Sequence, residues 1–400
     1  MSKKYNYLII GSGIIGLSIA LSIKNRHLGA KILIIDKEEK EATHASGRNS
    51  GVLHAGFYYS SDSLKAKLTA EGNAAMKQYC SRKGLPINEC GKLVVAQNEA
   101  EVQTLYELEK RGKANGSRVE VIDEDEALRI EPNIKTFKKA LFSPDTASID
   151  PHQVCSSIKK DLLDDGVKFS FSTKYLGHNR NNTITTNKGE FSAHKIINCG
   201  GLYADKIAND FGFGYRYAII PFKGLYLKYT KNNTDVGVNI YPVPNLHNPF
   251  LGVHFTKTVS GEIKIGPTAI PAFWRENYHH LKNFSLQEFT QISWQETKLF
   301  AKNAFGFRNL AMEEIRKYNK GYFIRLAQKL VTSIDPKGFT EYTKPGIRAQ
   351  LLDIKSSKLI EDFVIEGDQN STHILNAVSP AFTCAFSFAE HVVTHHIMTA

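Results

Sequence analysis

Three glycines near the start of the chain have the spacing of a nucleotide-binding turn. Gly11, Gly13 and Gly16 form a G-x-G-x-x-G motif, and Asp36 follows about 20 residues after the last of them. In such motifs the first glycine permits a tight turn, the second lets the backbone approach a pyrophosphate, and the third allows close packing. Free N–H groups at the helix start favour the anion, and the acid accepts hydrogen bonds from a ribose. The predicted chemistry is dinucleotide binding.

The elements needed to position these glycines follow one another in the right order. An apolar run over 5–10 leads into the glycines, a helical apolar pattern covers 17–23, and a second apolar run over 31–35 ends at Asp36. This order predicts a βαβ unit, in which a glycine turn without a ligand is uncommon. We expect Ile14 and Ile15, inside the motif, and Lys37, directly after the acid, to contact the cofactor as well.

A second segment, residues 43–56, is small, polar and glycine-rich (THASGRNSGVLHAG). Such a segment suits backbone that lies against a flat ligand, with hydroxyls and Arg48 near phosphate or ring oxygens. Here the sequence resembles the D-amino-acid-oxidase-like superfamily of FAD-dependent oxidoreductases, in which this segment lies along the flavin. Within that superfamily, GRNSGVLHAGFYY resembles the L-2-hydroxyglutarate dehydrogenase/oxidase family. The resemblance implies FAD as the cofactor.

The same resemblance recurs along the whole chain. Matching words follow in order: SIDP (148–151), IINCGGLYAD (196–205), PFKG (221–224), IYPVP (240–244), LGVHFT (251–256), IGP (265–267), PGIRAQ (345–350) and NAVSPAFT (376–383). Two residues of the substrate half depart from the family pattern. Leu225 stands where the family usually has an acid, and Thr268 stands where it usually has an asparagine. These departures concern the identity of the substrate rather than FAD binding.

The resemblance implies an α/β (α+β overall) fold with two domains that are discontinuous in sequence. A Rossmann-like FAD-binding domain is expected from residues 1–80, 145–215 and 340–400. A mixed-sheet substrate domain is expected from residues 81–144 and 216–339. The last segment is expected to contain a helix that starts near Pro380, whose N-terminal dipole would stabilise negative charge on a reduced flavin.

The implied activity is oxidation of L-2-hydroxyglutarate to 2-oxoglutarate by hydride transfer to the flavin, with quinone or oxygen as the electron acceptor. Alternatives in the same superfamily are oxidation of an amino acid, of an amine or of glycerol 3-phosphate. An alternative of another class is a flavin-binding regulatory or tRNA-associated protein that uses the positive charge of the chain. Ammonia release, reduction by a phosphate ester, or copurifying RNA would distinguish these.

Oxidation of a hydroxy acid needs a base for the hydroxyl proton, and an imidazole suits this role. His54 and His254 are the candidates, and either fits. Arg348 is the first candidate for a substrate carboxylate because its planar fork matches that group, with Lys223 and Arg275 as weaker ones. Further residues expected at the cofactor lie in the glycine-rich segment, in the second turn and near the C-terminus: Ala45, Ser46, Asn49, Ser50, Gly51, His54, Gly200, Gly201, Ser379, Pro380 and Thr383.

The composition is that of a large globular enzyme. Hydrophobic residues make up 42% and charged residues 23% of the 400 residues, unlike disordered or disulfide-stapled chains. The five cysteines show no C-x-x-C spacing, and the chain shows no signal peptide and no run of about eighteen apolar residues. We therefore expect a cytoplasmic protein that does not span a membrane. No histidine pair has partners in metal-ligand spacing, so no metal site is predicted.

The net charge of +11 favours anionic partners. Because the charge is spread over the chain, without a zinc finger, an RNP pattern or a dense arginine block, nucleic-acid binding is not expected. A basic amphipathic stretch over 283–331 allows two interpretations. It is a helical cover over the substrate sheet with a solvated face, or it lies on the cytoplasmic face of an anionic membrane.

Overall fold

A computed structural model describes residues 5–179, 182–231, 235–245 and 250–398. The strands are β1 Tyr5–Ile10, β2 Ile32–Ile35, β3 Val52–Leu53, β4 Ile87–Asn88, β5 Lys92–Val95, β6 Glu120–Asp123, β7 Lys139–Ser143, β8 Ala147–Ile149, β9 Lys168–Ser170, β10 Tyr175–Asn179, β11 Thr183–Thr186, β12 Gly189–Asn198, β13 Tyr217–Gly224, β14 Leu227–Tyr229, β15 Asn239–Pro242, β16 His254–Lys257, β17 Ile263–Gly266, β18 Ile270–Pro271, β19 Phe339–Tyr342, β20 Gly346–Asp353, β21 Lys358–Leu359, β22 Val364–Gly367 and β23 Ser371–Asn376. The α-helices are α1 Ile14–Arg26, α2 Leu64–Lys83, α3 Glu99–Ala114, α4 Glu124–Ile130, α5 Pro151–Asp164, α6 Ala204–Asp210, α7 Leu286–Lys302, α8 Phe307–Arg316, α9 Lys320–Gln328 and α10 Ala385–Val392.

One sheet is built around a parallel core in the order β23-β12-β1-β2-β9. All four residues of β2 are buried, as expected of a strand covered on both faces. Helices α1, α5 and α10 pack against this sheet through apolar residues that include Leu17, Ile158 and Phe388. The predicted βαβ unit is therefore present, and it places the glycine turn at the carboxyl end of β1.

A second sheet is mixed and has the order β19-β14-β17-β16-β15-β5-β7-β6. Strands β15 and β5 pair in parallel, whereas the other pairs of this sheet are antiparallel. Its strands come from the two segments predicted as the substrate domain, together with β19 at 339–342. A four-stranded sheet pairs β13 with β20, one strand from each predicted domain. The α/β class with mixed sheets is confirmed, and the domain boundaries stay a prediction.

The C-terminal helix begins later than the sequence suggests. Residues 379–384 form turns, and α10 starts at Ala385 rather than near Pro380. The hydroxyl of Thr383 accepts a hydrogen bond from His54 N at 3.1 Å, so the turn is held against the glycine-rich segment. The predicted helical stretch 283–331 contains α7, α8 and α9. No helix in the described ranges is long and apolar enough to cross a membrane.

Candidate active site

A single cleft of about 1980 Å³ runs along the glycine turn and continues under the mixed sheet. This volume exceeds the roughly 300–1,000 Å³ of an ordinary small-molecule site. The cleft is therefore large enough for a dinucleotide and a second small ligand. Most of the residues predicted at the cofactor line it: Gly11, Gly13, Ile14, Ile15, Asp36, Lys37, Ala45, Ser46, Arg48, Asn49, Ser50, His54, Gly200, Gly201, Ser379, Pro380 and Thr383.

The glycine turn leaves no room for side chains at two positions. Gly11 has φ +107°, and a Cβ on it would lie 2.4 Å from the carbonyl oxygen of Cys199. A Cβ on Gly16 would lie 2.1 Å from the carbonyl oxygen of Gly11. These contacts bring the turn, the helix start and the second predicted turn at 199–201 against one another. The sequence-based roles of Gly11 and Gly16 thus have a direct steric cause.

The start of α1 is open to an anion. Gly13 offers no side-chain cap, and the first turn of the helix carries no acidic residue. Ser46 Oγ accepts a hydrogen bond from Ile14 N at 2.9 Å, which brings the glycine-rich segment to the helix start. The helix dipole and the N–H groups therefore favour negative charge at this point of the cleft.

Asp36 closes the turn from the other side. Its Oδ2 accepts hydrogen bonds from Ser12 N at 2.7 Å and from Ser12 Oγ at 2.6 Å, and its Oδ1 accepts one from Glu38 N at 2.9 Å. The carboxylate lines the cleft beside the glycines, as the motif predicts. Its contact with a ribose stays a prediction.

Lys37 lies in a group of charged side chains that the sequence did not reveal. Its Nζ is 2.7 Å from Glu276 and 3.0 Å from His44 Nε2, and it also contacts Glu38. The hydrogen bond from His44 is the main cause that lowers the pKa of Glu38 to about 2. Glu38, His44 and Glu276 have the donor atoms of a metal site within 4.8 Å of one another. Because the Lys37 ammonium contacts all three, it already supplies the positive charge there.

The glycine-rich segment is braced by its own polar side chains. Arg48 Nε donates to Thr43 O at 2.7 Å, and its guanidinium lies 4.2 Å from the centre of the Tyr278 ring. Asn49 Nδ2 donates to Ser46 O at 2.8 Å, and Asn49 Oδ1 accepts from Gly51 N at 2.8 Å. These bonds fix the backbone along the cleft. The structure thus uses Arg48 and Asn49 to hold the segment in shape.

The second turn is ordered by Asn198 at the end of β12. Its Oδ1 accepts from Gly200 N at 3.0 Å, and its Nδ2 donates to Ala204 O at 2.8 Å. Gly201 has φ +54°, a conformation that favours glycine. Gly200 and Gly201 therefore lie at the cleft beside Gly11, where the sequence placed them.

The structure brings both candidate bases to the wall of the same cleft. Nδ1 of His254 lies 2.8 Å from Gly252 O, so this nitrogen carries the proton and Nε2 is left as an acceptor in the neutral ring. The ring stacks on Tyr241 with a centroid separation of 3.6 Å. Burial is the main cause that lowers the pKa of His254 to about 3 and that also lowers the pKa of His54. Both imidazoles are therefore neutral near pH 7.

Arg348 lies on β20 and also lines the cleft. Its Nη1 donates to Thr268 O at 2.9 Å, and its guanidinium makes no other hydrogen bond to a described residue. The Arg348 charge is one of the causes that lower the pKa of His254, so the two side chains are neighbours. The Arg348 guanidinium can bind a carboxylate of the substrate. The neutral imidazole beside it can then accept the proton of the hydroxyl on the adjacent carbon.

The other two predicted cations already have partners within the protein, although Arg275 also lines the cleft. Arg275 is buried and pairs with Asp205 through bonds of 2.6 and 2.9 Å, and it also donates to Leu202 O. Lys223 does not line the cleft, and its Nζ donates to Asn277 Oδ1 at 3.2 Å. Moving the Arg275 guanidinium to a substrate would leave the buried Asp205 carboxylate without its counter-charge, which is costly. Because both side chains are already paired, Arg348 remains the first candidate for the carboxylate, and the substrate roles of Arg275 and Lys223 stay predictions.

Several aromatic side chains at the cleft, and one lysine behind it, were not predicted as site residues. Tyr58, Tyr226 and Tyr241 line the cleft, and Lys92 is fully buried behind Tyr241. Lys92 begins the apolar run KLVV. Because charged residues are seldom buried, a lysine in such a run could have indicated an unusual site. The tyrosines carried no comparable signal, since tyrosines occur throughout this sequence.

The residues at the first half of the cleft fit FAD on structural grounds. An open helix start, two glycines without space for a Cβ, and an acid at the end of β2 provide what an ADP moiety requires. The cleft then continues past Ser46, His54 and the 379–383 turn, where the ring system of a flavin would lie. The residues with which the chain would hold FAD are those lining this continuous path.

Comparison with known proteins places this geometry in a family. The family model described as FAD-dependent oxidoreductase matches residues 6–394. A protein of Indibacter alkaliphilus named L-2-hydroxyglutarate dehydrogenase is 37% identical over 391 residues, 96% of each chain. An Escherichia coli K12 protein of the same name is 32% identical, covering 98% of this chain and 92% of its own.

Solved structures show the same fold. An L-α-glycerophosphate oxidase from Mycoplasma pneumoniae with FAD bound has a TM-score of 0.76 at 21% identity, covering 98% of this chain and 94% of its own. A glycine oxidase from Geobacillus kaustophilus has a TM-score of 0.72 at 16% identity, covering 99% and 96%. These similarities support the fold, and the family match adds the cofactor. The chain belongs to the family of FAD-dependent oxidoreductases.

Proposed function

We propose that this protein oxidises L-2-hydroxyglutarate to 2-oxoglutarate and passes the electrons to quinone or oxygen. The observation that carries the proposal is that one cleft is lined by His254, a neutral imidazole with an acceptor nitrogen, and by Arg348, a guanidinium with donors that no described residue uses. The relatives named L-2-hydroxyglutarate dehydrogenase, at 32–37% identity over nearly the whole chain, support the choice of substrate.

In this proposal FAD, when bound, supplies the two-electron acceptor for the hydrogen on the substrate α-carbon. His254 Nε2 takes the proton of the substrate hydroxyl, because Gly252 O fixes the proton of the ring on Nδ1. Stacking on Tyr241 holds the ring plane during this transfer. Arg348 binds one carboxylate through its unused donors and thereby orients the α-carbon.

The two departures from the family pattern contact each other. Thr268 Oγ1 accepts from Leu225 N at 3.0 Å and donates to Lys223 O at 2.8 Å, while Thr268 O accepts from Arg348. The hydroxyl of Thr268 thus joins the chain after β17 to the end of β13. This arrangement retains Arg348 at the cleft, which supports a carboxylate substrate despite the two departures.

The alternatives in the same superfamily are tested by a substrate panel. We expect L-2-hydroxyglutarate to give the highest kcat/KM among L- and D-2-hydroxyglutarate, L-malate, L-lactate, glycerol 3-phosphate, glycine and L-proline, measured with a quinone analogue and with oxygen. If Arg348 binds a substrate carboxylate, kcat/KM should be higher for L-2-hydroxyglutarate than for glycerol 3-phosphate, which has no carboxylate. The ratio of these two kcat/KM values therefore tests the role of Arg348. Ammonia release from an amino acid at a higher kcat/KM would contradict the proposal.

We further propose that the segment 273–318, which includes α7 and α8, contacts an anionic membrane, where a quinone would be reached. Eleven of the nineteen exposed large hydrophobic side chains in the described residues fall in this segment: Phe273, Leu281, Phe284, Leu286, Phe289, Trp294, Phe300, Phe305, Met312, Ile315 and Tyr318. Basic side chains lie among them, and Lys298 Nζ is 4.8 Å from the centre of the Trp294 ring. Apolar and cationic side chains together suit the surface of an anionic bilayer.

Vesicle binding tests this contact. We expect the FAD-loaded protein to sediment with vesicles rich in phosphatidylglycerol and to remain free with phosphatidylcholine alone. The variant Leu286→Asp/Trp294→Asp should lose sedimentation, because it places two charges among exposed apolar residues. Leu28→Asp is the matched control, since Leu28 is 71% exposed and lies outside the segment. Equal binding to both vesicle types, or loss with the control alone, would contradict the contact.

A further inference from the structure

A lysine is enclosed in the sheet behind the substrate end of the cleft. Lys92 lies on β5 opposite Asn239 of β15, with no exposed surface. Tyr241 is two residues beyond Asn239, so it shares the sheet face of Lys92, and it is the neighbour of His254 in the stacked pair. Tyr241 and His254 line the cleft, whereas Lys92 does not. One layer of side chains therefore separates the lysine from the cleft.

The amine of Lys92 has aromatic faces around it instead of hydrogen-bond acceptors. Its Nζ lies 4.2 Å from the ring centre of Tyr241, 5.1 Å from that of Tyr58 and 5.2 Å from that of Phe57. Within the described residues it has no hydrogen-bond partner. An ammonium among ring faces is stabilised by the ring quadrupoles. No carboxylate of the described residues pairs with it, so none of them neutralises its field. A folded protein rarely retains such a group without a use for its charge.

Two other unpaired polar atoms lie nearby. In the described part of the chain, the buried side-chain atoms without a partner include His54 Nδ1 and Tyr58 OH. The charge of Lys92 is among the causes that lower the pKa of both His54 and His254, so its field reaches both imidazoles of the cleft wall. The region is therefore polar, enclosed and positive before any ligand enters.

We propose that Lys92 is a positioning residue that draws a substrate carboxylate into the cleft, acting through Tyr241 and Tyr58 rather than by contact. Its field adds to that of Arg348, which is placed to touch the carboxylate. In the enclosed, low-dielectric environment such a charge acts over a longer distance than it would at the surface. The kinetic consequence rests on the proposed oxidation, whereas the attraction of an anion does not depend on which acid is oxidised.

The charge of Lys92 depends on pH. Burial lowers the pKa of Lys92 to about 7. The protonated amine attracts an anion, so the attraction is present below this pKa and is lost as the pH rises through it. The titratable or charged groups that act on Lys92 and its neighbours come from all the elements packed there: Cys90, His54, Tyr58, Tyr59, Tyr226, Tyr241, His254, Lys317 and Arg348.

Malonate is the probe for this field, because it is a small dianion that carries no α-hydroxyl group to oxidise. In calorimetric titrations of the FAD-loaded protein, we expect the Kd for malonate to rise, and binding therefore to weaken, as the pH is raised from about 6 to about 9. Lys92→Met should weaken malonate binding about tenfold at the acidic end and give a nearly flat pH profile. Lys92→Arg should bind tightly across the whole range, because arginine stays protonated.

Lys195→Met is the matched control, since Lys195 is also a buried lysine but its Nζ donates to His396 O at 2.6 Å, away from the cleft. It should keep the pH-dependent binding of the parent protein. A Lys92→Met protein that retains FAD and shows the parent Kd and pH profile would overturn the proposal, as would the absence of malonate binding to the parent protein. If the parent protein binds malonate with the expected pH dependence but does not oxidise L-2-hydroxyglutarate, the proposed substrate is refuted and the proposed role of Lys92 stands.

Discussion

Replacing His254 by glutamine is expected to lower the rate of flavin reduction by L-2-hydroxyglutarate about 10²–10⁴-fold, the usual contribution of a general base. Glutamine keeps a donor for Gly252 O and approximates the size of the ring, but it cannot accept the hydroxyl proton. The protein should fold and retain FAD, because His254 lies on the mixed sheet and the predicted ADP contacts lie on β1 and α1. Anaerobic stopped-flow absorbance measures the rate.

Two further histidine variants make this result specific. His178→Gln is the control, because His178 lies on β10, stacks on Phe211 at a centroid separation of 3.8 Å and does not line the cleft. It should reduce the flavin at close to the parent rate. His54→Gln should lower the rate less than His254→Gln does, since His54 Nδ1 is buried without a partner that would fix its tautomer. The reverse order of the two rates would make His54 the base.

Arg348→Lys is expected to lower kcat/KM for L-2-hydroxyglutarate about 10²-fold while FAD remains bound. A lysine retains the charge but not the planar fork, so it cannot hold a carboxylate in the same orientation. Thr268 O would also lose its donor from Nη1. Steady-state kinetics separates the two effects, because lost binding raises KM and lost orientation lowers kcat.

The control for Arg348 is Arg216, which directly precedes β13, the strand that pairs with β20. Arg216 pairs with Asp353 at the far end of β20, with its side chain largely exposed. Arg216→Lys should leave kcat/KM close to that of the parent protein, because Arg216 does not line the cleft and lysine keeps the positive charge opposite Asp353. Parent kinetics for Arg348→Lys, or an equal loss in both variants, would remove Arg348 from the site.

The cofactor half of the site was predictable because its signals are local in sequence. Gly11, Gly13, Gly16 and Asp36 lie within one βαβ unit, whose steric demands are set by neighbours close along the chain. The glycine-rich segment over 43–56 was equally readable, because small residues are needed wherever backbone approaches a ligand or another backbone. The α/β class was implied by the family resemblance that this segment carries.

The substrate half was less predictable because its contacts join distant segments. Arg275 pairs with Asp205, 70 residues earlier, and the local sequence around either residue does not indicate this pair. Lys92 and Tyr241 meet only because β5 and β15 lie side by side. The late start of α10 depends on Thr383, which holds the 379–384 turn against His54. Such pairings are set by tertiary structure, which local patterns do not encode.

Anaerobic mixing of the purified FAD-loaded protein with L-2-hydroxyglutarate is the most direct test of the proposed reaction. We expect the oxidised flavin absorbance to bleach, 2-oxoglutarate to appear in a stoichiometric amount, and the D-isomer to leave the spectrum unchanged. Bleaching by an amino acid or by glycerol 3-phosphate, with no response to either hydroxyglutarate isomer, would contradict the proposed function.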